Sequence, residues 1–406
     1  MDLDGRNVLV MGLGAFGGGE GVVQWLLGSG AEVTITDLRD ESSLAGPLSR
    51  LDTARCRLAL GGHSPADFER ADLVVVNPAV PRPASNPMLA IARAHGATLT
   101  TEIRLLVQHL DRSRCIGITG TAGKSTTAAM THHLLTRGGL DARLGGNIGG
   151  SLLCELDRIE PDTWVVLELS SAQLHWLDLD PGWSPAIAGI TNVSPNHLDW
   201  HEDEADYRRC KAAICRHGAT SDPCIHGHAC PPVDAPLRVP GEHNRINAAM
   251  AVALARLVDP SIDPSMLAGF EGLPHRLRPV GTDDPPRFYD DSKATTPEAT
   301  LRAIASFPDP TRIHLLAGGY DKGVSLQPIA DAAQSLAGLY TFGETGPPLA
   351  AAGGGIASET LEQAVAAAMP RMRGGDILLL SPGCASWDQF ADYRERGRRF
   401  TSLVSS

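Results

Sequence analysis

Lys124 stands near the end of Gly120-Thr121-Ala122-Gly123-Lys124-Ser125-Thr126-Thr127, after an apolar run from Cys115 to Thr119 and before a helical pattern from Ala128 to Arg137. Glycines let the backbone turn its N–H groups inward, the helix N-terminus adds positive potential, and the lysine neutralises phosphate charge. A Ser125 or Thr126 hydroxyl can reach a metal. This is the grammar of a phosphate loop. The strict GxxxxGK[ST] form would need glycine where Ile118 stands, so the chain offers a TGTxGKST variant. A turn holding a lysine by chance is the alternative, weakened because strand, loop and helix are all in place.

Three further groups could act beside such a loop. Glu168 is the one acid in the apolar run Thr163 to Leu169, and an acid there is costly to bury unless it meets a cation, so it reads as a metal carboxylate or a hydrogen-bonded glutamate. A strand from Ala186 to Ile190 opens into a loop with His197 and His201. These could be ordinary loop polars, but they fall at the C-terminal end of a strand, where parallel sheets bind ligands. Lys211 lies on a helix expected from Tyr207 to His217. Beyond it, Cys224, His226, His228 and Cys230 alternate. Four soft ligands could hold zinc, but in an extended strand they share one face and close poorly around an ion, so a connector is expected.

Upstream, a strand from Asn7 to Met11 enters Gly12-Leu13-Gly14-Ala15-Phe16-Gly17. A helix through Val22, Val23, Leu26 and Leu27 follows, then a strand from Glu32 to Thr36 ending at Asp37. This βαβ unit suits a nucleotide or dinucleotide diphosphate, although a glycine turn used only for helix packing reads the same way. Leu73 to Val76 is another strand. A helix from Gly241 to Leu257 and a hinge at Gly272-Leu273-Pro274-His275-Arg276 precede a further alternation. There Phe288 to Thr295 follows a strand, a helix starts after Pro297, and strands run from Ile313 to Ala317 and from Asp376 to Leu380. That segment is again α/β with a parallel-rich sheet.

The chain has 406 residues, enough for two or three domains. With 35 basic against 47 acidic residues, a net charge of -12 argues against a general nucleic-acid surface and for a small-molecule enzyme. The opening MDLDGRNVLVMG has no basic lead, and no stretch has 18 uninterrupted apolar residues, so a cytoplasmic protein without membrane association is expected. Eight scattered cysteines make no disulfide framework, and most are expected as small buried hydrophobes.

The order GITGTAGKSTT, ELSS, NHLD, GEHNRINAA, GLPHR, DDSKAT, GGYDKG, LSPGCASWDQF resembles the muramyl ligase superfamily, and its D-glutamate-adding branch most closely. The resemblance implies an α/β fold of three domains. A Rossmann-like N-terminal domain (residues 1–101) would hold UDP-N-acetylmuramoyl-L-alanine, and a central P-loop ATPase-like domain (102–274) with a parallel sheet would hold ATP. A C-terminal Rossmann-like domain (275–406) would bring D-glutamate and close over both. It further implies ATP binding by Gly120, Thr121, Gly123, Lys124, Ser125, Thr126, Asn247, Arg276, Asp291 and Lys293. The UDP substrate would meet Gly14, Ala15, Phe16, Asp37, Arg39, Pro78, Ala79, Asn147 and His197, and D-glutamate Thr295, Lys322, Ser386 and Tyr393. Two Mg2+ ions would sit on Ser125, Glu168, His197 and a carbamoylated Lys211, with Lys124, Glu168, His197 and Lys211 as the catalytic set. A monomer is expected.

Such a ligase converts a carboxylate to an acyl phosphate with ATP, and the glutamate amine then displaces phosphate, with His197 a candidate base. Three departures stand out: Phe16 replaces a small polar residue, Ala122 an asparagine, and the segment 212–241 is short. Rival readings are a nicotinamide-dependent dehydrogenase, which leaves the phosphate loop, Glu168 and Lys211 idle, and a nucleotide-sensing module without catalysis. Another ligase of the superfamily, L-glutamate-adding or folylpolyglutamate-type, is the nearer alternative.

Overall fold

In the strand Asn7–Met11 (β1), Val8 and Val10 join one buried cluster and Leu9 and Met11 another, so both faces are covered. That is the condition of a central strand in a parallel sheet. The computed structural model describes residues 2–14, 17–197, 199–281, 285 and 287–405. β1 pairs in a five-stranded sheet with Glu32–Asp37 (β2), Cys56–Leu60 (β3), Leu73–Val76 (β4) and Thr98–Thr100 (β5), ordered β3-β2-β1-β4-β5, every pairing parallel. The chain reverses direction across this sheet at β1. The loops after β1 and β4 therefore flank a crevice at the strands' C-terminal edge.

A second parallel sheet follows, made of Cys115–Thr119 (β6), Ala142–Gly146 (β7), Trp164–Glu168 (β8), Ile187–Ile190 (β9) and Cys224–His226 (β10), ordered β10-β9-β6-β8-β7. Here β6 sits at the switch point, between β8 and β9. Both sheets belong to one compact unit, completed by Asn247–Asp263. They share a core in which Val8, Ile35 and Val75 of the first cluster with Val165, Leu167 and Ile190 of the second. Ser151 Oγ donates to Glu102 Oε1 at 2.5 Å between them, and a side chain at Gly21 would overlap Ser151.

The other unit holds Arg278–Val280 (β11), Phe288–Asp290 (β12), Ile313–Gly318 (β13), Gly338–Phe342 (β14), Ile356–Ala357 (β15) and Ile377–Leu380 (β16), ordered β11-β12-β16-β13-β14-β15. Among its described strands β11 alone runs antiparallel. Alternation again splits the core: Ile313 and Leu315 face one cluster, Leu316 and Leu380 the other.

Several element bounds differ from expectation for local reasons. The helix after the phosphate loop spans Lys124–Arg137, four residues earlier than its apolar pattern, because Gly123 in the left-handed region (φ 83) is its N-cap. The helix carrying Lys211 is Glu204–Ala212, not Tyr207 to His217: Asp203 caps it by accepting from Asp206 N at 2.7 Å, and a 3-10 turn, Ala213–Cys215, ends it. Phe288–Asp290 is itself a strand. β10 ends at His226, so the alternating cysteines and histidines do not share one strand, and Cys224 is joined to Cys215 by a disulfide. The expectation of mostly buried cysteines fails. Only Cys115, Cys210 and Cys384 of the free ones are buried, since Cys56 sits on an edge strand and Cys154 in a short turn. Among the described residues no helix is long and apolar enough to cross a membrane.

Candidate functional site

The phosphate loop is tied down by the strand next to it. Gly120 adopts φ 149, and a Cβ there would overlap Thr191 Oγ1, so only glycine fits. Thr191 Oγ1 donates to Ala122 O at 2.6 Å, and Asn192 clasps the same residue: its Nδ2 donates to Ala122 O at 2.9 Å and its Oδ1 accepts from Ala122 N at 3.0 Å. Thr121 Oγ1 accepts from Ser194 N at 3.0 Å and lies 2.8 Å from the Tyr207 hydroxyl. Lys124 Nζ donates to Thr121 O at 3.0 Å, which keeps the ammonium over the loop. A Cβ at Gly123 would overlap Asn247, whose Oδ1 accepts from Thr127 Oγ1 at 3.4 Å, so Asn247 closes against the start of the helix.

Glu168 ends β8 beside this loop and is buried. Its Oε1 accepts from Asn147 Nδ2 at 3.1 Å, while its Oε2 has no hydrogen-bond partner among the described residues. A buried carboxylate oxygen left open in this way is a hard donor suited to Mg2+. Lys211 is 2% exposed, donates to Gly120 O at 2.6 Å and lies over the Tyr207 ring at 4.7 Å. Burial, then the charge of Lys124, lowers its pKa from 10.5 to about 7. His197 is exposed, with φ 54. Partial desolvation by the surrounding protein first, then Lys124 and Lys211, against the pull of Asp199, hold its imidazole below its ordinary pKa. The fold thus brings Lys124, Glu168, His197 and Lys211 together, with the Ser125 and Thr126 residues in the first helical turn. His175, Asp206 and Cys210 also present donor atoms within 4.8 Å of one another, but both Asp206 oxygens are engaged, by His201 and Arg209.

At the first sheet, Leu13 N donates to Asp37 Oδ2 at 3.0 Å, and Arg39 grips the same carboxylate through Nε at 3.1 Å and Nη2 at 2.9 Å. The carboxyl sits below its ordinary pKa: burial raises it, but the Arg39 hydrogen bonds and charge outweigh that. Gly14 has φ 73 and packs against Asn77, which also donates to Gly12 O at 3.1 Å and accepts from Ala79 N at 2.9 Å. Trp200 Nε1 donates to Pro78 O at 3.0 Å, carrying the His197 loop to this crevice. Gly14, Asp37, Arg39, Pro78 and Ala79 therefore share one edge. Ala15 and Phe16 lie outside the described residues. Asn147 follows β7 and is the hydrogen-bond partner of Glu168.

In the other unit, the loops after β12, β13 and β16 meet at their sheet's C-terminal edge. Asp291 accepts from Ser381 Oγ at 2.8 Å and Leu277 N at 3.1 Å, and burial drives its pKa to about 7. Arg276 is exposed beside His275, whose Nδ1 pairs with Asp290 Oδ2 at 2.6 Å. Lys293 Nζ lies 5.3 Å from the Tyr393 ring centre, and Lys322 Nζ lies 5.1 Å from that of Trp387, whose ring sits 5.5 Å from that of Tyr320 at a tilt of 55°. Ser386 is buried, Thr295 half-buried and Lys322 exposed.

Thr191, Asn192, Asn77, Trp200 and Tyr207 went unmarked in the sequence. Only the strand-end position of their loops could have flagged the first four, and nothing local flags Tyr207 on its helix, since their roles are contacts between segments far apart in the chain.

Matches to known families agree with this geometry. Residues 6–101 match the model described as "Mur ligase MurD-like, N-terminal domain", 118–231 the "Mur ligase middle domain" and 275–384 the "Mur ligase, glutamate ligase domain". Curated relatives bearing the name UDP-N-acetylmuramoylalanine--D-glutamate ligase include one from Geobacter metallireducens, 34% identical over 100% of this chain and 98% of that protein. Another, from Roseiflexus sp., is 35% identical over 100% of both. Among solved structures, the UDP-N-acetylmuramate-alanine ligase of Thermotoga maritima shares 19% identity, covers 98% of this chain and 99% of its own, and superposes with a TM-score of 0.58. A MurF ligase of the same organism in complex with ADP shares 16% identity over 99% of this chain and 95% of its own, with a TM-score of 0.54; both speak to the fold. By full-length kinship with these relatives, the chain belongs to the Mur ligase family, among its UDP-N-acetylmuramoylalanine--D-glutamate ligases.

Proposed function

We propose that this chain joins D-glutamate to UDP-N-acetylmuramoyl-L-alanine with cleavage of ATP to ADP and phosphate, as a cytoplasmic monomer serving peptidoglycan precursor synthesis without nucleic-acid or membrane contact. The observation that carries the reading is the convergence of Lys124, Lys211, Glu168 and His197 on one loop built for phosphate. In this reading residues 1–101 hold the UDP substrate on Gly14, Asp37, Arg39, Pro78 and Ala79. Residues 102–274 hold ATP, and residues 275–406 supply Thr295, Lys322, Ser386 and Tyr393 to D-glutamate.

The substrate carboxylate attacks the γ-phosphorus, ADP departs, and the acyl phosphate carries its carbonyl to the glutamate amine. A tetrahedral adduct then collapses with loss of phosphate. Loop N–H groups and the Lys124 ammonium lie where charge grows on the transferring phosphoryl group. Glu168, Ser125, His197 and Lys211 as a carbamate are the donors we assign to two Mg2+ ions, which when bound spread the phosphate charge. A neutral Lys211 amine in a dry site is the form that carbon dioxide carboxylates. The neutral His197 imidazole has a lone pair for a cation or for the proton of the incoming ammonium.

The deciding experiment is phosphate release with ATP, UDP-N-acetylmuramoyl-L-alanine and either D- or L-glutamate. Release that depends on the D isomer and on the nucleotide precursor is expected. Preference for L-glutamate would move the chain to another branch of the family, and hydride transfer to a nicotinamide would refute ligation altogether.

A further inference from the structure

Arg396 lies on the helix Tyr393–Val404 and is 0% exposed, a position no step above accounts for. A guanidinium taken out of water needs every donor satisfied, ordinarily with a carboxylate among its partners. Here none lies within ion-pair distance among the described residues; the acceptors are oxygens of two loops. Nε donates to Ser292 Oγ at 3.0 Å and Nη2 to Ser292 O at 2.8 Å. Nη2 also donates to Cys384 O at 3.1 Å, and Nη1 to Ala385 O at 3.0 Å. Ser292 Oγ in turn donates to Tyr393 O at 2.8 Å, closing the ring on the helix itself. Ala385 O also accepts from Tyr320 N at 3.0 Å, so the third loop is tied to the same point. At Gly319 an added Cβ would stand 3.2 Å from Nη1 and overlap Ala385 O, so the loops close tightly on the guanidinium.

Each candidate glutamate residue is a short step from this hub: Thr295 three residues past Ser292, Lys322 two past Tyr320, Ser386 next to Ala385, and Tyr393 one helical turn before Arg396. We propose that Arg396 is the positioning residue of the amino-acid site, fixing the mutual register of the loops that carry Thr295, Lys322 and Ser386 without itself meeting the substrate. The inference rests on the assignment of D-glutamate to those residues. Only a planar fork with donors on several edges can hold these oxygens together; an ammonium concentrates its donors at one point and releases some of them.

The test uses the full chain with Arg396→Lys, at saturating ATP and UDP-N-acetylmuramoyl-L-alanine and varied D-glutamate. The KM for D-glutamate should rise at least ~10-fold while the KM for the nucleotide precursor stays within ~2-fold, a split that general destabilisation does not produce. A D-glutamate KM within ~2-fold of wild type, or equal changes in both constants, would overturn the proposal. If Arg396→Lys does not fold, Ser292→Ala removes one acceptor with little change in volume. It should raise the D-glutamate KM ~3-fold or more with the precursor KM unmoved, and an unmoved D-glutamate KM would overturn the proposal equally. A wild-type chain releasing no phosphate with D-glutamate would sink the functional reading itself, whereas an active wild type matched by its variants sinks only this inference.

Discussion

Lys211 should carry carbon dioxide, and its surroundings set how readily. Burial, then the charge of Lys124, brings its pKa from 10.5 to about 7. At neutral pH an ordinary lysine offers roughly one neutral amine in a few thousand, whereas about half of Lys211 is neutral, a gain of roughly 10³ in the form that attacks carbon dioxide. The attack of the neutral amine makes an N–C bond at the expense of one C–O π bond, releases one proton and leaves an anion beside the charge of Lys124. The same shift gives stability a pH dependence when carbon dioxide is absent. Between pH 7 and 10.5 the unfolded chain binds a proton at Lys211 that the folded chain does not, so stability rises with pH through that window. Below it the cost of burying the ammonium is fully present, about 5 kcal/mol at most. The assay compares protein equilibrated with carbon-13 bicarbonate against protein in gas-stripped buffer, reading the carbamate resonance and phosphate release. One labelled carbamate per chain is expected, absent from Lys211→Ala, and stripping should cut turnover at least ~10-fold until bicarbonate returns. A short carboxylic acid should partly restore Lys211→Ala. Full activity of that variant with no additive, or of wild type lacking the resonance, refutes the reasoning.

Lys124→Ala should lose at least ~100-fold in turnover in the phosphate-release assay, because its ammonium answers charge that grows on the phosphoryl group; near-normal turnover would remove the phosphate-loop assignment. Gly120→Ala forces a side chain onto Thr191 Oγ1 at a φ that only glycine adopts readily, so thermal or urea unfolding should show a loss of about 3 kcal/mol or more, and a wild-type midpoint would contradict the loop geometry. Lys322→Ala should raise the KM for D-glutamate at least ~10-fold and leave nucleotide-precursor binding alone, with Lys322→Arg recovering only part, since a broad fork replaces a compact charge. Metal analysis of protein purified without chelator should find no stoichiometric zinc at Cys224, His226, His228 and Cys230, and one zinc per chain would reverse that reading.

How much could be read beforehand depended on how local the cause was. The phosphate loop, β1, β4 and β6 were legible because glycine spacing and continuous apolar runs act within a few residues, and the parallel α/β class followed from their alternation. Short strands such as β3, β7, β10 and β15 were not, since their partners across the sheet hold them and their own composition does not. Lys124 announced itself in sequence. Glu168 was noticed as an acid in an apolar run, but its open Oε2 and its bond to Asn147 exist only once β7 lies beside β8. Lys211 reads in sequence as one more helical lysine, and its lowered pKa arises from packing against Gly120 and Tyr207, some ninety residues upstream and four residues back along its own helix. Arg396 carried no mark in the sequence, and tertiary structure alone decided that it would be sealed among backbone oxygens. Residue type and spacing determine which groups can do chemistry; the low dielectric and the neighbours that give those groups their charge state belong to the folded interior.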